Sequence, residues 1–489
     1  MHQPGVAQGS KMHYNRSCSA EIGKKGLPIV AVATRKGTEG RPKDTGAQGV
    51  EMRGESESPK TLAGGPLSKP LSVDDLGVSR GVLVDLALKF LYFEGEMDGS
   101  EIANSMRTPL PVAIELLDVL RKERLCTVLG SDRGVVPVYR YGITEAGVAR
   151  AREALSRNEY VGPAPVSLGG YVEIVRRQSV AMACSVIKRE DLERALNELV
   201  VSPSVTNQLG PALNSAQPIL LYGAPGNGKT YIAQNIVNLV LGSIFVPYTC
   251  EIEGQLIKIY DPEYHSLVDG SVEGRDVDRD NRWALCKRPV VMVGGELTLT
   301  SLGLVFDPIS KCHEASLQMK ANGGIFFIDD FGRQLLLPEE LLNRWIVPLE
   351  AQVDYLALHT GKQVQIPFDS LVIFSTNLDP GTLDEAFLRR IPHKVMIPNP
   401  TLYEYYMLFE RVCQAKGVPF DKDGFSYLVD RYYRKANRPL RACHPRDLVD
   451  QMVTVARYNE REPALSKESI DQACANYFVQ RPSERFDES

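Results

Sequence analysis

Apolar positions along this chain follow three rhythms, and each predicts a different kind of element. A four-residue rhythm governs the stretch after residue 70. It predicts a helix over 82–94, a second opening at Asp98-Gly99-Ser100-Glu101 with Ile102, Ala103 and Met106 inward, and a third carrying Val112, Leu116 and Leu120 on one face. Runs rich in β-formers at 125–129 and 135–141 flank Gly130-Ser131-Asp132-Arg133-Gly134, the signature of a hairpin, and Thr144-Glu145-Ala146-Gly147 opens another helix. Further on the rhythm becomes continuous. Pro218-Ile219-Leu220-Leu221-Tyr222, Ile325-Phe326-Phe327-Ile328 and Leu371-Val372-Ile373-Phe374 read as strands buried on both faces, as in a parallel sheet covered by helices. The helical period returns near the end, over 401–412, 424–435, 445–458 and 466–478, and Thr401 and Glu404 are spaced as a capping box. Residues 1–70 show no sustained rhythm.

Composition sharpens this outline. The 489 residues are 43% hydrophobic and 24% charged, with a net charge of −5, a pI near 5.9 and a mean hydropathy of −0.17, the profile of a globular protein with several cores. No apolar run approaches the ~18 residues of a membrane span, and 27–34 is too short to be one. A secretory leader is not indicated. Nine cysteines without C-x-x-C spacing suggest reduced thiols and a cytoplasmic protein. Residues 1–70 hold eleven Lys/Arg against six Asp/Glu and read as a disordered N-terminal segment, and Met52 is an alternative start. Residues 71–160, with three helices, a hairpin and a helix, resemble a winged helix. They carry eleven bases against fourteen acids, a poor dress for duplex binding, so a protein-interaction role is favoured over DNA contact. A linker is expected over 158–170, overlapping a linker and connecting helix at 161–195. An α/β core at 196–398 and a helical lid at 399–489 complete the outline.

The chemistry concentrates between strand 218–222 and the helix expected from Thr230. Gly223, Ala224, Pro225, Gly226, Asn227, Gly228, Lys229 and Thr230 match the G-x-x-x-x-G-K-[ST] phosphate loop without a substitution, a pattern that chance supplies roughly 0.02 times in a chain of this length. Glycines let successive N–H groups turn toward phosphates at the positive end of a helix, Lys229 reaches the β/γ-phosphates, and Thr230 ligates Mg²⁺. Asp329 and Asp330 end a buried strand where α/β sheets place ligands. Asp329 is suited to hold Mg²⁺ through its water shell and Asp330 to orient or deprotonate a water. Asn377 ends another strand as a polar amide aimed at the same water or the γ-phosphate.

These three elements in order resemble the AAA+ ATPases, with a Walker A loop, a Walker B strand and a sensor-1 strand over about 196–480. The resemblance implies ATP and Mg²⁺ as cofactors, a P-loop parallel-sheet core with a helical lid, and a homo-oligomeric ring, a hexamer. It implies an arginine finger at Arg390, with Arg389 as the alternative, and a sensor-2 arginine at Arg446, with Arg441 competing. Lys320-Ala321-Asn322-Gly323-Gly324, Phe331-Gly332-Arg333-Gln334 and Leu341-Leu342-Asn343-Arg344-Trp345 resemble bacterial ATPases with chaperone activity near the MoxR group. Where that superfamily usually has Glu this chain has Asp330, and Glu296 and Glu314 are back-up bases. A pore loop is expected after the second core strand near 254–265, with Tyr260 its aromatic, although the aromatic-apolar-Gly triplet is missing. The reading is therefore an ATP-hydrolysing protein that remodels or assembles an unidentified client protein. The alternatives are an ATP-dependent transcription regulator and a nucleotide-gated scaffold with little turnover.

Overall fold

In the computed structural model, residues 67–132, 138–197, 199–240, 242–268 and 279–478 are described. The expected disordered segment at 1–70 falls almost entirely outside them, as do Met52 and the tip of the predicted hairpin. The described residues form one compact unit.

Its centre is a sheet of five parallel strands, here β1 (Ile219–Tyr222), β2 (Val290–Val293), β3 (Ile325–Ile328), β4 (Leu371–Thr376) and β5 (His393–Met396), in the order β2-β3-β4-β1-β5. The uninterrupted apolar runs are explained by the pleat. Ile219, Leu221, Ile325, Phe327, Leu371 and Ile373 bury against Leu209, Ile232 and Ile236 on one face. Leu220, Phe326, Ile328, Val372 and Phe374 bury against Trp345 and Phe387 on the other. Gly324 is required at the foot of β3, because a Cβ there would stand 2.0 Å from the Pro289 carbonyl oxygen.

Segments from before β1, from between the helix after β1 and strand β2, and from after β2 build an accessory β region whose partners the sequence did not reveal. Ser243–Pro247 pairs with Trp283–Lys287, and a second five-stranded sheet joins Val305–Asp307, Cys312–Glu314, Gln255–Lys258, Thr249–Ile252 and Val166–Ser167. Residues 254–265 therefore belong to this accessory region and do not follow the second core strand. Tyr260 is half-buried, packed against Tyr248 and stacked on His265, as an ordinary packed tyrosine is.

The first helical region keeps its predicted order, with Arg80–Glu94, Gly99–Met106, Leu110–Lys122, strands Cys126–Asp132 and Val138–Ile143, then Glu145–Arg157, and adds an unpredicted short strand Glu96–Asp98. The three strands form one antiparallel sheet. Asp98 and Glu101 close the capping box, and Val112, Leu116 and Leu120 are fully buried. The expected linker at 158–170 is not a free tether. Tyr160, Ala164 and Val166 are buried, and Lys89 Nζ donates to the Asn158 backbone oxygen at 2.7 Å.

A buried ion pair fixes this junction. Arg282 and Asp280 meet at 2.7 Å, and Arg282 also donates to the carbonyl oxygens of Leu76 (3.1 Å) and Pro165 (2.7 Å). Arg282→Met should destabilise the protein by about 3–5 kcal/mol, because it strands the Asp280 carboxylate in the interior. Chemical denaturation of the two proteins side by side checks this, and a change below ~1 kcal/mol would contradict it.

The lid comprises Leu402–Lys416, Lys422–Leu428 running into a π-helical turn Val429–Arg434, His444–Tyr458 and Lys467–Tyr477. The Thr401–Glu404 capping box is formed. Tyr405, Phe409, Leu428, Leu448 and Ile470 fill its core. Among the described residues no helix is long and apolar enough to cross a membrane.

Candidate functional site

The phosphate loop leaves β1 at Gly223 and enters the helix Lys229–Val237. Gly223 (φ 143°) and Gly226 (φ 80°) are demanded by crowding as well as by backbone angle. A Cβ would lie 2.3 Å from the Ile397 carbonyl oxygen at the first and 2.5 Å from Cys443 Sγ at the second. Ala224 and Pro225 complete the curve, and Gly228 (φ 82°) is the N-cap. The loop therefore presses against β5 on one side and the lid on the other.

Folding brings the predicted polar residues together from three strands' ends. Lys229 is buried, and its Nζ donates to Gly223 O (3.0 Å), Ala224 O (3.1 Å) and Asn377 Oδ1 (2.6 Å). Burial pushes its pKa down, while the charges of Asp330 and Asp329 oppose that shift. Thr230 Oγ1 donates to Asp329 Oδ2 at 2.8 Å, and Asn377 Nδ2 donates to Asp330 Oδ1 at 2.8 Å. The parallel order places β3 and β1 on either side of β4, which is why carboxylates, amide and lysine converge at one sheet edge.

They border a cavity of about 710 Å³. Its polar lining includes residues 225–230, Asp330, Arg333, Ser375, Asn377 and Arg446, and its apolar lining includes Leu199, Val201, Ile397, Leu408 and Val412. Such a volume suits a ligand with a flat apolar portion and an anionic tail. Thr230 and Asp329 offer adjacent hard oxygen donors, the kind Mg²⁺ accepts while phosphates and waters fill its remaining positions.

Asn227 ties the loop down. Its Nδ2 donates to Pro398 O (3.1 Å) and Asn399 Oδ1 (2.8 Å), and the lid's Cys443 N–H donates to Gly226 O at 2.9 Å. Arg446 stands in the first turn of the helix His444–Tyr458, lines the cavity, and lies 3.2 Å from Asp447 Oδ1. Arg441 instead donates to Asn399 Oδ1.

The remaining candidates lie elsewhere. Arg390 pairs with Glu350 at 2.8 Å and donates to Ala386 O at 2.8 Å within its own chain, whereas Arg389 is exposed. Neither borders the cavity. Glu296 accepts from the Gly294 N–H, and Glu314 pairs with Lys258 on the accessory sheet, so neither back-up base reaches the site.

Sequence reasoning assigned no role to three side chains found here. Ser375 is buried with its hydroxyl unpartnered among the described residues, and it lines the cavity. Arg333 and Gln334 sit in the turn after β3. Their signals were their place shortly after the acidic pair and their part in the Phe331-Gly332-Arg333-Gln334 run.

In the lid, Tyr405, Tyr433 and His444 form a buried chain of hydrogen bonds at 2.7 and 2.9 Å. Burial pushes the His444 imidazole down to about 4. The unfolded chain, with an ordinary histidine near 6.5, then binds a proton that the folded lid refuses. Stability should thus fall as pH drops from about 6.5 toward 4 and level off below. His444→Gln should flatten that slope in thermal melts taken across the range, and an unchanged slope would exclude His444 as its source.

Comparison with known proteins places these features in context. A family described as a domain of unknown function, DUF8689, matches residues 401–476, most of the lid. A probable spastin homologue from Brugia malayi is 39% identical over 252 residues, 51% of this chain and 44% of its own. Spastin from Anopheles gambiae is 23% identical over 258 residues, 53% of this chain and 25% of its own. The chain thus spans less than half the length of these relatives. Among solved structures, RuvB from Thermotoga maritima aligns over 57% of this chain and 71% of its own at 15% identity, with a TM-score of 0.35. NtrX from Brucella abortus aligns over 73% and 61% at 13% identity, with the same score.

Proposed function

We propose that this chain, a P-loop ATPase of the AAA+ superfamily, hydrolyses Mg-ATP in the cavity between core and lid and does so as a ring. The observation that carries the reading is the contact set joining Lys229, Asn377 and Asp330 beside the Thr230–Asp329 pair, at the mouth of the phosphate loop. Magnesium, when bound, would neutralise phosphate charge next to Thr230 and Asp329.

The chain's own residues do the rest by position and charge. Loop N–H groups and Lys229 hold the β- and γ-phosphates. Asn377 and Asp330 hold a water in line with the γ-phosphorus. As its oxygen bonds to phosphorus, the bond to the bridging oxygen breaks, the electron pair leaves with ADP, and the water's proton passes to Asp330 and on to solvent. Arg446 follows the nucleotide from the lid, so lid position would depend on what is bound.

Arg390, or Arg389 beside it, would complete a neighbour's site. Because neither reaches its own chain's cavity, that role requires a head-to-tail assembly, which closes as a ring. The hexamer, the remodelling of a client protein and a cytoplasmic setting belong to the same proposal. Presentation of that client falls to the winged-helix-like region, whose net charge of −3 over residues 71–160 disfavours duplex DNA.

Turnover per chain should therefore rise with protein concentration in step with assembly seen by sedimentation, and Arg389→Ala/Arg390→Ala chains should bind ATP yet turn over at least ~100-fold more slowly. Constant turnover per chain across the monomer range would reject the ring.

A further inference from the structure

The turn that follows β3 is built more firmly than a surface loop needs to be. Asp330 adopts φ 47° and Gly332 φ 96°, and the turn closes through Arg333 N–H to Asp330 O at 3.0 Å. Phe331 anchors it inward: it is buried against Phe374 and Phe387, and its N–H donates to Ser375 O at 2.7 Å. A Cβ on Gly332 would come within 2.4 Å of Leu378 Cδ1, so the chain passes tightly here. Gln334 clasps the other side. Its Oε1 accepts from the Gly332 N–H at 2.7 Å and its Nε2 donates to Asp329 O at 2.9 Å, while Leu335 N–H reaches Gly295 O at 3.1 Å.

What this clasped turn presents is Arg333. It lines the cavity beside Asp330 and Asn377, at the end where a terminal phosphate would lie, and its guanidinium makes no ion pair among the described residues. The other arginines near the site are engaged: Arg446 by Asp447 and Arg441 by Asn399. An uncompensated guanidinium facing a cavity that also holds a buried lysine is a receptor for an anion, and its planar fork fits two phosphate oxygens.

We propose that Arg333 is a catalytic residue that grips the γ-phosphate from within the same chain, and that Gln334 is the positioning residue that aims it. This rests on the reading that the cavity takes a nucleoside triphosphate. Arg333 thereby makes the site prefer ATP to ADP before any neighbour contributes. Its charge stays on the γ-phosphoryl oxygens while water's oxygen bonds to phosphorus and the bridging bond breaks toward ADP.

The test measures calorimetric binding of MgADP and of a magnesium-bound non-hydrolysable ATP analogue to the full chain. Arg333→Ala should weaken the analogue about tenfold or more and leave MgADP within about twofold, since only one of them carries the third phosphate. Arg333→Lys should recover part of the loss. Gln334→Met should lower kcat several-fold with MgADP affinity unchanged, a split that general loosening of the fold would not give. Equal losses for both nucleotides in Arg333→Ala, or no loss for either, would overturn the proposal. A wild-type chain that binds both nucleotides equally well overturns it while leaving the nucleotide site standing, whereas binding of neither defeats the nucleotide reading as well.

Discussion

Lys229→Met should abolish magnesium-dependent ATP binding, with affinity lowered by more than about 100-fold. The ammonium is buried and already gathered by three oxygen acceptors at the mouth of the loop. Incoming phosphate oxygens replace those weak neutral acceptors with full negative charge, and each charge-assisted bond contributes about 1.5–3 kcal/mol. Methionine keeps the aliphatic bulk and removes only the charge, so the helix Lys229–Val237 keeps its packing through Ile232, Ala233 and Ile236. The fold should survive with a melting temperature within a few degrees of wild type. Retention of Mg-ATP by a folded Lys229→Met chain would remove the foundation of the proposed activity.

Asp330→Asn should lower kcat by about 100-fold or more while leaving ATP affinity within a few-fold of wild type. The backbone makes this substitution unusually clean. Asp330 sits in the left-handed region at φ 47°, which Asn tolerates as well as Asp, so the swap removes charge without adding strain. The bond from Asn377 Nδ2 to Asp330 Oδ1 can persist to the amide oxygen. Asp330→Glu would restore the longer acid usual in the superfamily, at a conformational cost of about 1 kcal/mol. Equal turnover in wild type and Asp330→Asn would favour the nucleotide-gated scaffold instead. Chains of Asp330→Asn loaded with ATP also offer the means to retain the client, and Lys229→Met serves as the empty control.

The parts of the molecule legible in sequence are those specified locally. The phosphate loop declares itself because glycine spacing, lysine and hydroxyl are all within one turn. Strands β1, β3 and β4 declare themselves because burial on both faces erases polar alternation. The lid helices carry their own caps. Strand β2 was missed because Val290–Val293 looks no different from the apolar runs of the accessory region, and only long-range pairing with Ile325–Ile328 distinguishes it. The same blindness put the pore-loop expectation at 254–265. The partners of Arg390, Asn227 and Gln334 were also invisible. Each depends on which backbone passes nearby after folding: Glu350 from another helix, Pro398 beyond β5, and the Asp329 carbonyl across a turn.

The strand order has a consequence for how this protein is made. β1 emerges from the ribosome early, yet both of its lateral neighbours, β4 and β5, come from the far end of the core. At about 5–20 residues per second, the nascent chain carries β1 with bare edges for on the order of ten seconds before a partner exists. During that interval an apolar strand with unpaired amides is the most adhesive part of the molecule. Synthesis of this protein should therefore lean on holdase chaperones, and truncations that end before Leu371 should accumulate as aggregates.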